Sequence, residues 1–180
     1  MTEPASAPDA EPRPLIPQSI DAHSFAPFGS YIAPSGYGTP FGPDDAALDL
    51  AQGTPRIYIM RAPDHGLRFH RITRHDHVTQ CLSSALGETW YLVVAPPPET
   101  DPAAPPTPDS IRAFTVSGPA MIKLHAGTWH AGPYFQAPHM DFINLELADT
   151  NQNDHNAVDL RATWGVEFIL EPTKTHATQT

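Results

Sequence analysis

From Arg56 onward the chain runs as a succession of short strand-like segments with nothing between them long enough to make a helical layer. The segments are RIYIMRA, RFHRITR, VTQCLSS, TWYLVVAP, SIRAFTV, MIKLHA, MDFINLEL and VEFILE. They are rich in β-branched, aromatic and aliphatic residues, so the pattern predicts about eight strands. PDHG at Pro63 to Gly66, ALGE at Ala85 to Glu88 and SGP at Ser117 to Pro119 supply turns between them. Short strands joined by short turns imply an all-β antiparallel sandwich or a jelly-roll barrel, because a βαβ fold needs long helices between its strands. A small barrel closes its sheet edges and leaves one open mouth, a natural place for a ligand.

Proline and glycine mark where regular structure stops. PSGYGTPFGPDD, from Pro34 to Asp45, and PPPETDPAAPPTPD, from Pro96 to Asp109, are both expected to be irregular surface loops. Residues 44–52 are expected to form one short helix. Residues 1–18, rich in proline, alanine and acid, predict a disordered, flexible N-terminal lead-in; residues 19–172 would make one β-barrel domain, and 173–180 a tail. A chain of 180 residues has room for one domain with a real core.

Charge narrows the partners. With 10 Lys+Arg against 20 Asp+Glu the formal net charge is -10, which repels a phosphate backbone or an anionic membrane and leaves a small molecule as the expected partner. Cys81 is the only cysteine, so an intrachain disulfide is excluded. No apolar run approaches membrane-spanning length, and Met1 to Pro17 does not read as a secretory signal, so a cytoplasmic protein is expected.

The 10 histidines are the unusual count, and several crowd into two short segments. In LHAGTWH, Leu124 to His130, a glycine-containing turn separates His125 from His130. If the chain reverses near Gly127, both imidazoles would face one cavity with Trp129 as an apolar wall. In RHDHVTQ, Arg74 to Gln80, strand alternation puts His75, His77 and Thr79 on one face and Val78, Gln80 and Leu82 on the other, so His75 and Gln80 converge only through a bend. In HMDFINLEL, alternation groups Asp141 with Ile143, Leu145 and Leu147 on what is expected to be the interior face, where a carboxylate must be paired. Glu146, on the alternate face, reads equally well as a surface acid. Cys81 reads as a core thiol, and Arg68, Arg71, Arg74 and Arg112 are the candidates for gripping a substrate carboxylate.

These blocks, in this order, resemble the ureidoglycolate lyase family. RHDHVTQ resembles the family's Arg-His-x-x-x-Thr-Gln block; TWYLVVAPP, IRAF at Ile111 to Phe114, Gly118, LHAGTWH and the MDF of Met140 to Phe142 follow it. The resemblance implies a cupin-like double-stranded β-helix, a homodimer, and cleavage of ureidoglycolate to glyoxylate and urea late in purine (allantoin) catabolism. It implies pocket positions at His75, Gln80, His125, Trp129, His130 and Asp141. Breaking a carbinolamide needs a base for the hydroxyl proton and an acid for the departing nitrogen. The expected catalytic set is His125 and His130 with Asp141 orienting one of them and Gln80 bonding the ureido group; His75, Trp129 and Arg112 would bind substrate. A metal-assisted version would hold a divalent ion with His75, His77, His125 and His130, Gln80 standing near the place of the usual cupin glutamate. The competing readings are a metal-dependent cupin oxygenase or isomerase on another small acid, and a non-catalytic cupin that binds small carboxylates.

Overall fold

The computed structural model describes residues 11–97, 99–101 and 104–173, and the expectations for 1–10 and 174–180 fall outside them. The strands, in chain order, are β1 (Arg13–Leu15), β2 (Gln18–Ser19), β3 (Gly29–Ile32), β4 (Pro55–Pro63), β5 (Arg68–Phe69), β6 (Arg71–Arg74), β7 (Cys81–Ser84), β8 (Trp90–Ala95), β9 (Arg112–Val116), β10 (Met121–Leu124), β11 (Trp129–Tyr134), β12 (His139–Leu147), β13 (Asn156–Asp159) and β14 (Phe168–Leu170). Three one-turn helices, α1 (Ala22–Phe25), α2 (Thr150–Asn153) and α3 (Leu160–Trp164), punctuate them. No described helix is long and apolar enough to cross a membrane.

The strands form a five-stranded sheet, β3-β10-β7-β12-β4, a six-stranded sheet, β13-β6-β11-β8-β9-β2, and a small sheet, β1-β14-β5. The five- and six-stranded sheets face each other across a core of Leu82, Leu92, Phe114, Ile122, Phe135 and Phe142. The other face of the six-stranded sheet packs Ile72, Val93 and Trp129 against Leu160 of α3 and Phe168 of the small sheet. Covering that sheet on both sides explains β8, where all six residues of WYLVVA are buried. A strand wet on one face would alternate instead.

The fold is all-β, as the run of short strands predicts, with several corrections. The three sheets do not join into a closed barrel among the described residues. Their strands exchange partners at loops: 75–80 carries the chain from β6 to β7 and 125–128 from β10 to β11, each time from one large sheet to the other. The lead-in is shorter than expected, because β1 pairs in parallel with β14 and β2 with β9; ladder bonds on both offset the ordering entropy of residues 13–19. Residues 44–52 form turns, a bend and irregular chain rather than a helix. Pro34 to Asp45 is irregular, as its composition predicts.

Candidate active site

Between the two large sheets lies a cavity of about 290 Å³. Its inner face is set by strand alternation. On β6 and just beyond, Arg71, Thr73 and His75 point in, while Ile72 joins the second core; on β11, His130 points in and Trp129 points out. On β12 the inward residues include Asn144 and Glu146, and on β4, Tyr58 and Met60. Antiparallel register sets Asn144 opposite Tyr58 on one side and opposite Leu82 on the other.

One end of the cavity is closed by the two inter-sheet loops, tied together where Gly127 N–H donates to the carbonyl oxygen of His75 at 2.7 Å. Thr128 N–H donates to His125 O across a tight turn, with Gly127 at φ 81°, a conformation that glycine adopts freely. His75 and His130 meet at this end, ring centroids 5.0 Å apart. His75 Nδ1 is hydrogen-bonded to the carbonyl oxygen of Asp154, and His130 Nδ1 lies 3.1 Å from that of Thr128. A carbonyl accepts only, so both Nδ1 atoms carry hydrogen and both Nε2 atoms are left for the cavity. Burial, with His75 and His155 nearby, pushes His130 down to about 4, so its imidazole is neutral at physiological pH.

Glu146, 1% exposed, forms the polar wall. It accepts hydrogen bonds from Gln80 Nε2 at 3.0 Å, Asn144 Nδ2 at 3.1 Å, Tyr58 OH at 3.2 Å and Asn151 Nδ2 at 3.3 Å, and Arg56 approaches to 3.9 Å. Such a set of donors compensates the loss of water around a buried carboxylate. Desolvation, reinforced by the Glu146 charge, holds the Tyr58 hydroxyl protonated. At the other end, Arg71, Met60 and Tyr134 line both this cavity and an adjoining outer chamber.

The structure therefore gathers four of the sequence-predicted residues, Arg71, His75, Gln80 and His130, in one cavity. The bend that His75 and Gln80 need exists, because residues 75–80 are not strand. The other candidates lie elsewhere. His125 is exposed at the end of β10, its Nδ1 3.2 Å from Lys123 Nζ, and borders only a small void beside the cavity. The turn through Gly127 does not fold one strand back on its neighbour; it moves the chain to the facing sheet, and His125 shares with His130 only the small void beside the cavity. Trp129 is buried in the second core, under the Arg74 guanidinium at 4.8 Å, since it adjoins the inward His130 in one strand. Asp141 is on the outer face of β12 in a bidentate pair with Arg61, both contacts 2.8 Å. Arg112 donates to the carbonyl oxygens of Asp109 and Ile111, outside the cavity. His77 is an exposed side chain whose backbone N–H donates to Asp154.

The four-histidine metal set is accordingly not assembled, and no cluster of three or more His, Cys, Asp or Glu suited to a metal is present among the described residues. Residues that sequence reasoning passed over complete the site instead. Glu146 and Asn144 sit on the face of β12 opposite to the expected one. The segment after β12 supplies Asn151, His155 on the cavity wall, and Asp154, whose carboxylate accepts from the N–H groups of Asp76 and His77 at 2.8 Å each while its carbonyl orients His75. The signal available was Asp154 beside His155 in a polar stretch directly after a strand. Cys81 is a buried thiol, raised by desolvation to about 11.

Fold and cavity together define an all-β protein with a polar, small-molecule-sized site between two sheets. The ureidoglycolate lyase family profile matches residues 12–167, and the chain belongs to that family. It is 28% identical over 153 residues to a ureidoglycolate lyase of Pseudomonas fluorescens, covering 78% of this chain and 89% of that one. A ureidoglycolate lyase of Pseudomonas aeruginosa is 24% identical over 172 residues, covering 89% and 97%, and one of Azotobacter vinelandii 25% over 130 residues, covering 66% and 75%.

Proposed function

We propose that this chain cleaves ureidoglycolate to glyoxylate and urea, a step of purine (allantoin) catabolism, in the cavity between the two large sheets. The observation that carries the reading is the His75 and His130 pair, each anchored at Nδ1 on a backbone carbonyl, with Gln80 and the Glu146 carboxylate on the adjoining wall. His130, neutral through burial, takes the substrate hydroxyl proton at Nε2. The carbinol oxygen becomes the aldehyde oxygen of glyoxylate as the C–N bond breaks, and the urea nitrogen receives that same proton from His75 Nε2, to which His130 Nε2 has passed it. One proton leaves oxygen and one reaches nitrogen, so the imidazole pair is restored by passing a proton between its members.

Gln80 donates through Nε2 to Glu146, which turns its Oε1 toward the ureido N–H groups. The substrate carboxylate, bonded to the reacting carbon, faces the side of the cavity lined by the exposed Arg71, whose Nε lies 4.0 Å from Asp159.

The facing sheets are in this reading an open form of the cupin-like double-stranded β-helix, in a cytoplasmic homodimer. Ile57 and Ile59, 67% and 60% exposed on β4 at the free edge of the five-stranded sheet, support a second copy pairing there. Purified protein incubated with ureidoglycolate should release glyoxylate and urea together, faster than the spontaneous breakdown and equally after chelation. Product no faster than in buffer would remove the assignment.

A further inference from the structure

Among the described residues that keep a buried side-chain polar atom without a hydrogen-bond partner, Asn144, through its Oδ1, is the one that lines the cavity. Asn144 is 2% exposed, and its amide is held from the other side. Nδ2 donates to Tyr58 OH at 3.0 Å and to Glu146 Oε2 at 3.1 Å. Tyr58 OH in turn donates to Glu146 Oε1, so its proton is committed and only its lone pair faces Asn144. Flipping the amide would set Oδ1 against a carboxylate, an acceptor against an acceptor. The network therefore fixes Oδ1 as an acceptor.

Gln80 is fixed in the same way, because its Nε2 is spent on the same carboxylate oxygen. Glu146 thus orients two neighbouring carboxamides so that each leaves a carbonyl oxygen over. A ligand group that presents N–H donors and no acceptor on that edge satisfies both. The N–H edge of a ureido group has this form, whereas a methyl or carboxylate terminus does not.

We propose that Asn144, locked by Tyr58 and Glu146, is the specificity-determining residue that selects a terminal ureido NH2. The inference rests on the ureido-acid reading above and adds to it the choice between a ureido acid and an N-acyl amino acid of the same shape. A methyl group against Oδ1 leaves a buried carbonyl unpaired, which discriminates by about tenfold to a hundredfold. Tyr58 and Glu146 are positioning residues in this scheme, acting only through Asn144 and Gln80.

Calorimetric titration of the full chain with ureidoacetate and N-acetylglycine tests it, since these differ by NH2 against CH3 and both lack the reacting hydroxyl. The wild-type protein should prefer ureidoacetate by about tenfold or more, and Asn144→Val should cut the preference to within about threefold while affinity for N-acetylglycine hardly moves. Tyr58→Phe, which keeps the cavity wall intact, should lower the preference partway and serves if Asn144→Val does not fold. Equal weakening of both ligands, or full preference retained in the variants, overturns the assignment of Asn144. A wild-type protein that binds ureidoacetate without preference sinks the inference and leaves the ureido-acid reading standing. Failure to bind either ligand, with no urea released from ureidoglycolate, removes the reading and the inference with it.

Discussion

Two acids on one strand meet opposite fates. Glu146 and Asp141 are both on β12, yet Glu146 is buried under four side-chain donors while Asp141 shares a bidentate pair with Arg61 on the outer face of the sheet. The imidazoles repeat the contrast: His130 points between the sheets and is held neutral, and His125, at the end of β10, stands exposed beside Lys123. The environment a face provides, more than residue type, decides whether a group is available for chemistry. A desolvated carboxylate can impose orientation on its neighbours, whereas an exposed one shares its field with water.

The sharpest way to break this comparison is to remove one imidazole from each face. His130→Gln should lower kcat for ureidoglycolate cleavage by about 10² to 10⁴, whereas His125→Gln should leave it nearly unchanged; an equal loss in both would return His125 to the site. The kcat of the unmodified protein should also hold as pH falls through 6.5 and decline only toward about pH 4, where His130 takes up a proton. The same shift acts on stability. Between the ordinary value of 6.5 and the folded value of about 4 the unfolded chain binds the extra proton, so stability present at neutral pH is lost as acid is added across that window.

The acids give the next effect. Glu146→Leu leaves the buried Asn144 and the partly buried Tyr58 and Gln80 donors facing an apolar group and should cost about 3–5 kcal/mol in denaturant unfolding. Asp141→Asn should leave the unfolding midpoint where it is, because its ion pair is exposed. A large loss at Asp141 would mean that the outer face is covered in solution. Smallest is the effect at the mouth, where Arg71→Gln should raise KM by about tenfold with little change in kcat, and Arg112→Gln should alter neither. Saturation kinetics on the two variants would distinguish a carboxylate clamp from a remote surface charge.

How much of this was legible beforehand differs by element. The strands that read as apolar runs, β4, β8, β9 and β12, fall where their composition puts them. β11, which carries His130, was hidden because WHAGPY holds both a glycine and a proline, residues that ordinarily mark a turn; here they lie at an irregularity in the pairing with β8. Gln80 and His75 were recognisable from their block, and Asp154 and His155 were not, since a polar stretch after a strand is indistinguishable from solvated loop until something packs on it.

Alternation along β12 settled which residues share a face, and only the assembled sheets settled which face is inside. Ile143, Leu145 and Leu147 made the Asp141 side look like the core by hydropathy. The structure buries Phe142, Asn144 and Glu146 instead and leaves Ile143 and Leu145 half-buried on the outer side. A two-residue period carries no sign, so chain chemistry alone determined the all-β class, the family blocks and the crowding of histidine. The inward direction of each side chain came from which sheet its strand joined, and that depends on contacts with residues distant in sequence.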